Sequence, residues 1–266
     1  MEIALEGSTL FYHKAGSGSK NMLLFHGFGQ DHTVFFPLIE SLKEDYTCYA
    51  FDLFFHGNSK RTERDITIEK HEWKKLVEAF ISRENLNSFS ILGFSIGGRL
   101  ALATFEDFPK RTENLILVAA EGLRKNFWYS WATHRKLGQP VFRGFVNKPK
   151  VFFAVLKIAK ALHLLPQPLF KFVSKQMDSA EKRHRVFASW ISLRKLSLSV
   201  KQFIDLSSFH TGRIIFIFGI DDDIMRKAVS DHLQKRISNA EFKFLDARHH
   251  QLLKRLPECL PVWIKT

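Results

Sequence analysis

The 266-residue sequence predicts an α/β fold, with a mostly parallel central sheet flanked by helices and interrupted by a helical insertion. Two observations carry this reading. Strand-like and helix-like runs alternate over residues 1–120 and again over 206–266, which defines a core domain. Residues 121–205 hold no strand run and read instead as helices around 141–161, 167–177 and 180–195, broken by Pro149, Pro166 and Pro168. They make a helical insertion in that domain. A hydrophobic content of 45% suits a chain of this length that buries one substantial core.

The elements follow in order. MEIALEGSTLFYHK predicts a strand pair turning at Gly7 and Ser8, not a charged and then apolar leader. LLFHGFG (23–29) runs from a strand into a loop, and Cys48 falls on a further strand. SFSILGF (88–94) is apolar but too short for a helix, as expected of a strand buried on both faces. A helix over 97–108 follows. Gly97 and Gly98 lower its intrinsic propensity, so they imply close packing of the helix against what precedes it. RIIFIFG (213–219) is another buried strand, and EFKFLDARHH (241–250) is a strand entering a loop before a last helix that contains Cys259. Two cysteines make no disulfide framework and read as reduced core residues.

Ser95 lies in a GxSxG pentapeptide between the strand and the helix. A serine at a sharp strand-to-helix turn projects its hydroxyl outward, and Gly93 and Gly97 remove side chains that would collide there. A hydroxyl nucleophile needs a base, and the base needs an orienting acid. Both residue types occur downstream: Asp221, Asp222 and Asp223 after one strand, His249 and His250 after the next. Spacing alone does not choose among them.

These segments together resemble the α/β hydrolases that carry a lid, and the resemblance implies that 121–205 is such a lid, inserted after the sixth strand. LLFHGFG resembles that family's strand-HG-loop, DLFFHGNS (52–59) its DxxGHGxS segment, GFSIGG its nucleophile elbow, GIDDD (219–223) its GxxD turn, and ARHH its AGH or GGH segment. The resemblance implies Ser95 as nucleophile, Asp222 as acid and His249 as base. Glu121, after LILVAA, is the alternative acid found one strand earlier in some relatives, and His250 is the alternative base. The resemblance also implies backbone N–H groups of Phe28 and Ile96 as oxyanion donors, and places His26 and His56 in structural turns. Two positions depart from the pattern: Phe55 replaces a glycine and Arg248 stands where glycine is common. Loop shape is at issue there.

The activity so implied is a serine hydrolase cleaving a carboxylic ester or thioester through an acyl-enzyme. Serine at the elbow, in place of aspartate, disfavours dehalogenase and epoxide hydrolase chemistry. Arg99, one helical turn after Ser95, stands either near the pocket floor or against a surface carboxylate. GFSIGGR also resembles the elbow of the menaquinone-pathway lyase (SHCHC synthase), whose arginine helps bind a substrate carboxylate, with Arg124, Arg135 and Arg143 as further cations; this is the alternative activity. A non-catalytic ligand receptor on the same fold is the other, though it has no need of a full serine, acid and histidine set.

Charge points to the lid. Residues 123–201 hold 17 Lys and Arg against Asp178 and Glu181, whereas the whole chain is +13, so the basicity is local. Beside a catalytic site, such a surface attracts an anionic substrate or an acidic carrier protein, as in the carboxylesterase of biotin synthesis. It is equally what solvated lysine-rich helices look like. VFFAVLKIAKALHLL (151–165) either covers an acyl pocket or lies on an anionic membrane, a contact allowed but not predicted. No run reaches the roughly 18 apolar residues of a membrane span. No CxxC or HExxH spacing occurs, so no metal and no cofactor are expected, and no nucleic-acid-binding motif accompanies the pI of 9.8. The expected location is cytoplasmic.

Overall fold

Parallel pairing dominates the sheet because its central strands are apolar on both faces. The computed structural model describes residues 1–5, 7–62, 67–123, 127–164, 167–225 and 227–265. Its strands are β1 (Glu2–Leu5), β2 (Ser8–Ala15), β3 (Lys20–Phe25), β4 (Tyr46–Phe51), β5 (Lys60–Arg61), β6 (Phe89–Phe94), β7 (Thr112–Val118), β8 (Arg213–Gly219) and β9 (Glu241–Leu245). They make one sheet in the order β1-β2-β4-β3-β6-β7-β8-β9, with β5 on β2. Pairing is antiparallel for β1, β2 and β5 and parallel from β4 to β9. Every residue of β6 is buried, as are six of the seven in β8, which is the pattern of strands covered by helices on both sides.

The helices of this part are α1 (Phe36–Leu42), α2 (Lys70–Arg83) and α3 (Gly97–Asp107), then, beyond the insertion, α9 (Val200–Ser207), α10 (Lys227–Gln234) and α11 (Leu252–Lys265). Alternate strand residues sort into two layers. Met22, Leu24, Leu92, Phe94, Ile116, Val118, Ile215 and Ile217 join one core cluster with Leu38 and Leu42 of α1 and Leu252, Leu256 and Leu260 of α11. On the other face, Phe25 meets Trp73 at 5.8 Å and Phe51 meets Phe80 at 4.9 Å between ring centroids, which seats α2 there. Trp73 Nε1 donates to Thr104 Oγ1 at 3.0 Å and ties α2 to α3. Helix α11 continues through Pro257 and Pro261, each of which deletes one intrahelical hydrogen bond. Its apolar stripe, buried from Leu252 to Ile264, outweighs that loss.

Between β7 and β8 lies the helical insertion: α4 (Phe127–His134), α5 (Gly138–Asn147), α6 (Pro149–Ala161), α7 (Gln167–Gln176) and α8 (Ala180–Ser192), followed by α9. Strand β7 is the sixth of four residues or more, so the insertion falls after the sixth full strand. By contacts the chain separates into Met1–Arg124 with Lys195–Thr266, and Lys125–Arg194. The second unit has its own aromatic centre: Phe142 stands 5.2 Å from Phe187 and 5.5 Å from Trp190, and Trp190 is 5.2 Å from Tyr129.

Two helical details differ from expectation. The single helix expected over 141–161 is split, because Lys148 leaves helical geometry (φ −120°, ψ 70°) just before Pro149, which opens α6 where its missing N–H costs nothing. Helix α4 was not expected at all. Its sequence FWYSWATH lacks a helical apolar period, and tertiary contacts hold it, among them Tyr129 Oη donating to the Trp190 carbonyl at 3.0 Å.

The two departures from the family pattern separate physically. Arg248 has extended backbone (φ −81°, ψ 163°), so that position makes no demand for glycine. Phe55, at φ 66°, sits in the left-handed region where a side chain costs roughly 1–2 kcal/mol. Phe55→Gly is therefore expected to raise stability by about 0.5–1 kcal/mol, the relieved strain less the half-buried ring's contribution, read as a higher urea midpoint. An unchanged or lower midpoint would show the ring to be worth at least as much as the strain.

Candidate active site

Three side chains from distant parts of the sequence meet beyond the carboxyl ends of β6, β8 and β9, where an open parallel sheet exposes its loops. Ser95 directly follows β6 with φ 52°, a conformation that non-glycine residues seldom adopt. Its N–H donates to the Val118 carbonyl at 3.0 Å, and its own carbonyl accepts from Gly98 N–H at 3.0 Å and Glu121 N–H at 2.8 Å. The surroundings thus hold the strained residue on both sides. A Cβ on Gly97 would stand 2.3 Å from the Phe25 carbonyl oxygen, and one on Gly98 would stand 2.4 Å from the Ala120 Cβ. Both glycines are there because α3 starts in contact with backbone.

His249 Nδ1 lies 2.7 Å from Asp222 Oδ2, and His249 Nε2 lies 3.1 Å from Ser95 Oγ. A carboxylate only accepts, so Nδ1 carries the proton, Nε2 is the acceptor, and the Ser95 hydroxyl donates to it. The Phe94 ring, 5.1 Å from the imidazole, packs against it. Asp222 is buried, and its other oxygen accepts from Ile224 N–H at 2.8 Å and Met225 N–H at 2.7 Å. Burial pushes its carboxyl upward, but the bond and charge of His249 and the two amides outweigh burial and hold it below the usual carboxylate range. Asp221 and Asp223, its neighbours, are exposed.

The alternatives lie elsewhere. Glu121 Oε2 faces Arg99 Nε at 3.4 Å, and His250 is exposed. Arg99 is itself buried on α3, so its carboxylate partner is within the protein. Arg124 lies outside the described residues. At the end of β3, Gly27 N–H donates to Gln30 Oε1 and Gly29 N–H to His56 Nε2, both at 2.9 Å. Phe28 and Ile96 N–H donate to no group among the described residues. Among the same residues no three His, Cys, Asp or Glu side chains converge as a metal site, and no helix is long and apolar enough to cross a membrane.

Sequence reasoning placed His26 in a structural turn but missed the buried carboxylate that organises this end of the sheet. Asp52, fully buried, accepts from His32 N–H at 2.7 Å and Asn58 N–H at 2.8 Å and so folds the DLFFHGNS turn. His26 is also fully buried: Nδ1 bonds the Gly27 carbonyl at 2.7 Å, while Nε2 accepts from Leu53 N–H at 3.0 Å. Only a neutral ring does both. Burial first, and then electrostatic coupling between the His26 and His56 rings, lower the His26 pKa from 6.5 to about 3. Between these values the unfolded chain binds the extra proton, so His26 contributes stability above 6.5 that is lost progressively as pH falls toward 3. The unfolding free energy from urea titrations is expected to drop between pH 7 and pH 5 by on the order of 1 kcal/mol per pH unit, with a flatter dependence in His26→Asn. Equal slopes in the two proteins would remove His26 as the cause.

Residues 20–256 match the alpha/beta hydrolase fold family. The chain is 32% identical over 116 residues to 1-acylglycerol-3-phosphate O-acyltransferase ABHD5 of Rattus norvegicus, covering 43% of this chain and 33% of that protein. It is 33% identical over 106 residues to abhydrolase domain-containing protein abhd-5.2 of Caenorhabditis elegans, covering 39% and 24%. It therefore matches about a third or less of the length of these relatives. In three dimensions it is similar in fold to a thermophilic esterase from Thermogutta terrifontis, with a TM-score of 0.70 at 17% identity over 97% of this chain and 93% of that one. With a match that runs from β3 into α11 and a sheet that turns at Ser95, the chain belongs to the alpha/beta hydrolase fold family.

Proposed function

We propose that this protein is a serine hydrolase that cleaves a small carboxylic ester or thioester through an acyl-enzyme. The observation that carries the reading is the unbroken relay from Ser95 Oγ through His249 to Asp222, at 3.1 and 2.7 Å. Ser95 attacks the acyl carbonyl while His249 Nε2 takes its proton, and Asp222 steadies the resulting imidazolium. The Phe28 and Ile96 amides then receive the developing oxyanion. His249 returns the proton to the leaving group. Water, activated by the same histidine, releases the acid. The basic insertion favours substrates with an anionic part or an acidic carrier, through steering rather than chemistry.

The lyase reading rests on Arg99 as a site for a substrate carboxylate, and the Glu121 carboxylate already faces that guanidinium, so nothing favours it over ester cleavage. Fluorophosphonate labelling of the wild type, absent in Ser95→Ala, tests the nucleophile, and p-nitrophenyl esters of increasing chain length report the acyl preference. Failure of the wild type to label or turn over any ester, with a ligand bound intact, would leave a receptor.

A further inference from the structure

Helix α6 is apolar on the side that faces away from its own unit. Val151, Val155, Ile158 and Leu162 are between 47 and 63% exposed. Their spacing of four, three and four residues stacks them in one stripe along the helix. Packing uses the opposite side: Leu156 is buried, Phe152 stands 5.8 Å from the Phe145 ring, and Lys160 covers the Phe170 ring at 4.6 Å. Past the end of the helix His163 turns the chain, with φ 56°, and the next residue, Leu164, adds one more exposed aliphatic side chain. Exposed Lys150 and Lys157 stand two turns apart on one flank of the stripe, and exposed Lys148 stands at its amino end.

The electrical setting selects the occupant. The unit Lys125–Arg194 holds 14 Lys and Arg but only Asp178 and Glu181 as acids. Both acids are engaged, Asp178 by Lys182 at 2.8 Å and Glu181 by Arg185 at 2.6 Å. A second copy would present the same positive charge, so self-association through this face works against repulsion. The stripe is a convex ridge of aliphatic groups that neither donate nor accept hydrogen bonds. Hydrocarbon receives such a ridge, and lysines beside it reach anionic headgroups while their stems stay apolar.

We infer that α6 docks this protein onto the surface of an anionic lipid bilayer, lying in the interface with Val151, Val155, Ile158 and Leu162 toward the acyl chains. The inference goes beyond ester cleavage and stands without it. Among the described residues no helix is long and apolar enough to cross a membrane, in keeping with a helix that lies flat.

Flotation of the full chain with vesicles tests it. Binding is expected to vesicles of phosphatidylcholine with phosphatidylglycerol, little or none to phosphatidylcholine alone, and a decline of about tenfold on going from low to high salt. Val155→Gln combined with Ile158→Gln, which keeps good helix formers at exposed sites, is expected to weaken binding by at least about tenfold with an unchanged thermal midpoint. Lys150→Gln with Lys157→Gln is expected to weaken binding to the mixed vesicles alone. The inference is overturned by absence of binding to both vesicles, by equal binding to both, or by full binding of the Val155 and Ile158 double variant. A dimer in lipid-free solution that the same double variant dissociates would overturn it in favour of a second copy.

Discussion

Ser95→Ala is expected to lower kcat by about three to six orders of magnitude, because under the proposed mechanism a relay without its hydroxyl retains only binding and oxyanion stabilisation. The loss should not come with unfolding. Alanine keeps the left-handed strain of φ 52° and fits the same turn, so the urea midpoint stays close to that of the wild type. Ser95→Gly separates the two roles of this residue. It should be equally inactive but more stable by about 1 kcal/mol, since glycine alone adopts that conformation freely. Steady-state turnover of a p-nitrophenyl ester, with denaturation of the same samples, reads both quantities. Residual activity within tenfold of the wild type would remove Ser95 from the chemistry.

Gly97→Ala should damage both stability and turnover. The new methyl group would stand 2.3 Å from the Phe25 carbonyl oxygen and 2.4 Å from that of His26. Those are backbone atoms at the end of β3, so no side chain can rotate to make room. Relief requires α3 to move away from the sheet or the His26 segment to shift, at a cost of about 2–4 kcal/mol. Either movement displaces the amide of Phe28 or the hydroxyl of Ser95 by a fraction of an ångström. Positioning on that scale matters, and kcat should fall at least about tenfold in the fraction that remains folded. An unaltered urea midpoint would contradict the close approach of α3 to β3.

How far each part could be read beforehand depended on whether local residues or distant ones decide it. The buried strands β6 and β8 were legible because a short apolar run bounded by turn signals has few other readings. The antiparallel start at Gly7, with φ 76°, was legible for the same local reason. Among Asp221, Asp222 and Asp223 the spacing offered no choice. The loop supplies it, by turning the middle carboxylate inward onto two amides and leaving its neighbours in solvent. Helix α4 is not legible because packing overrides intrinsic propensity there. The lid's charge was plain from composition. Which side of α6 its aliphatic residues face was not, since a helical period marks a stripe without saying whether neighbours cover it.

The partners in the relay are not equally secure. Ser95 leaves β6, an interior strand with neighbours on both sides, whereas His249 leaves β9, the outermost strand, none of whose five residues is fully buried. Rim strands fray at a lower free energy than interior ones. The imidazole is therefore held from two sides, by the sheet's last ladder and by the start of α11, whose Leu252 and Leu253 are buried, so the relay is tied at one end to the margin of the domain and at the other to its centre.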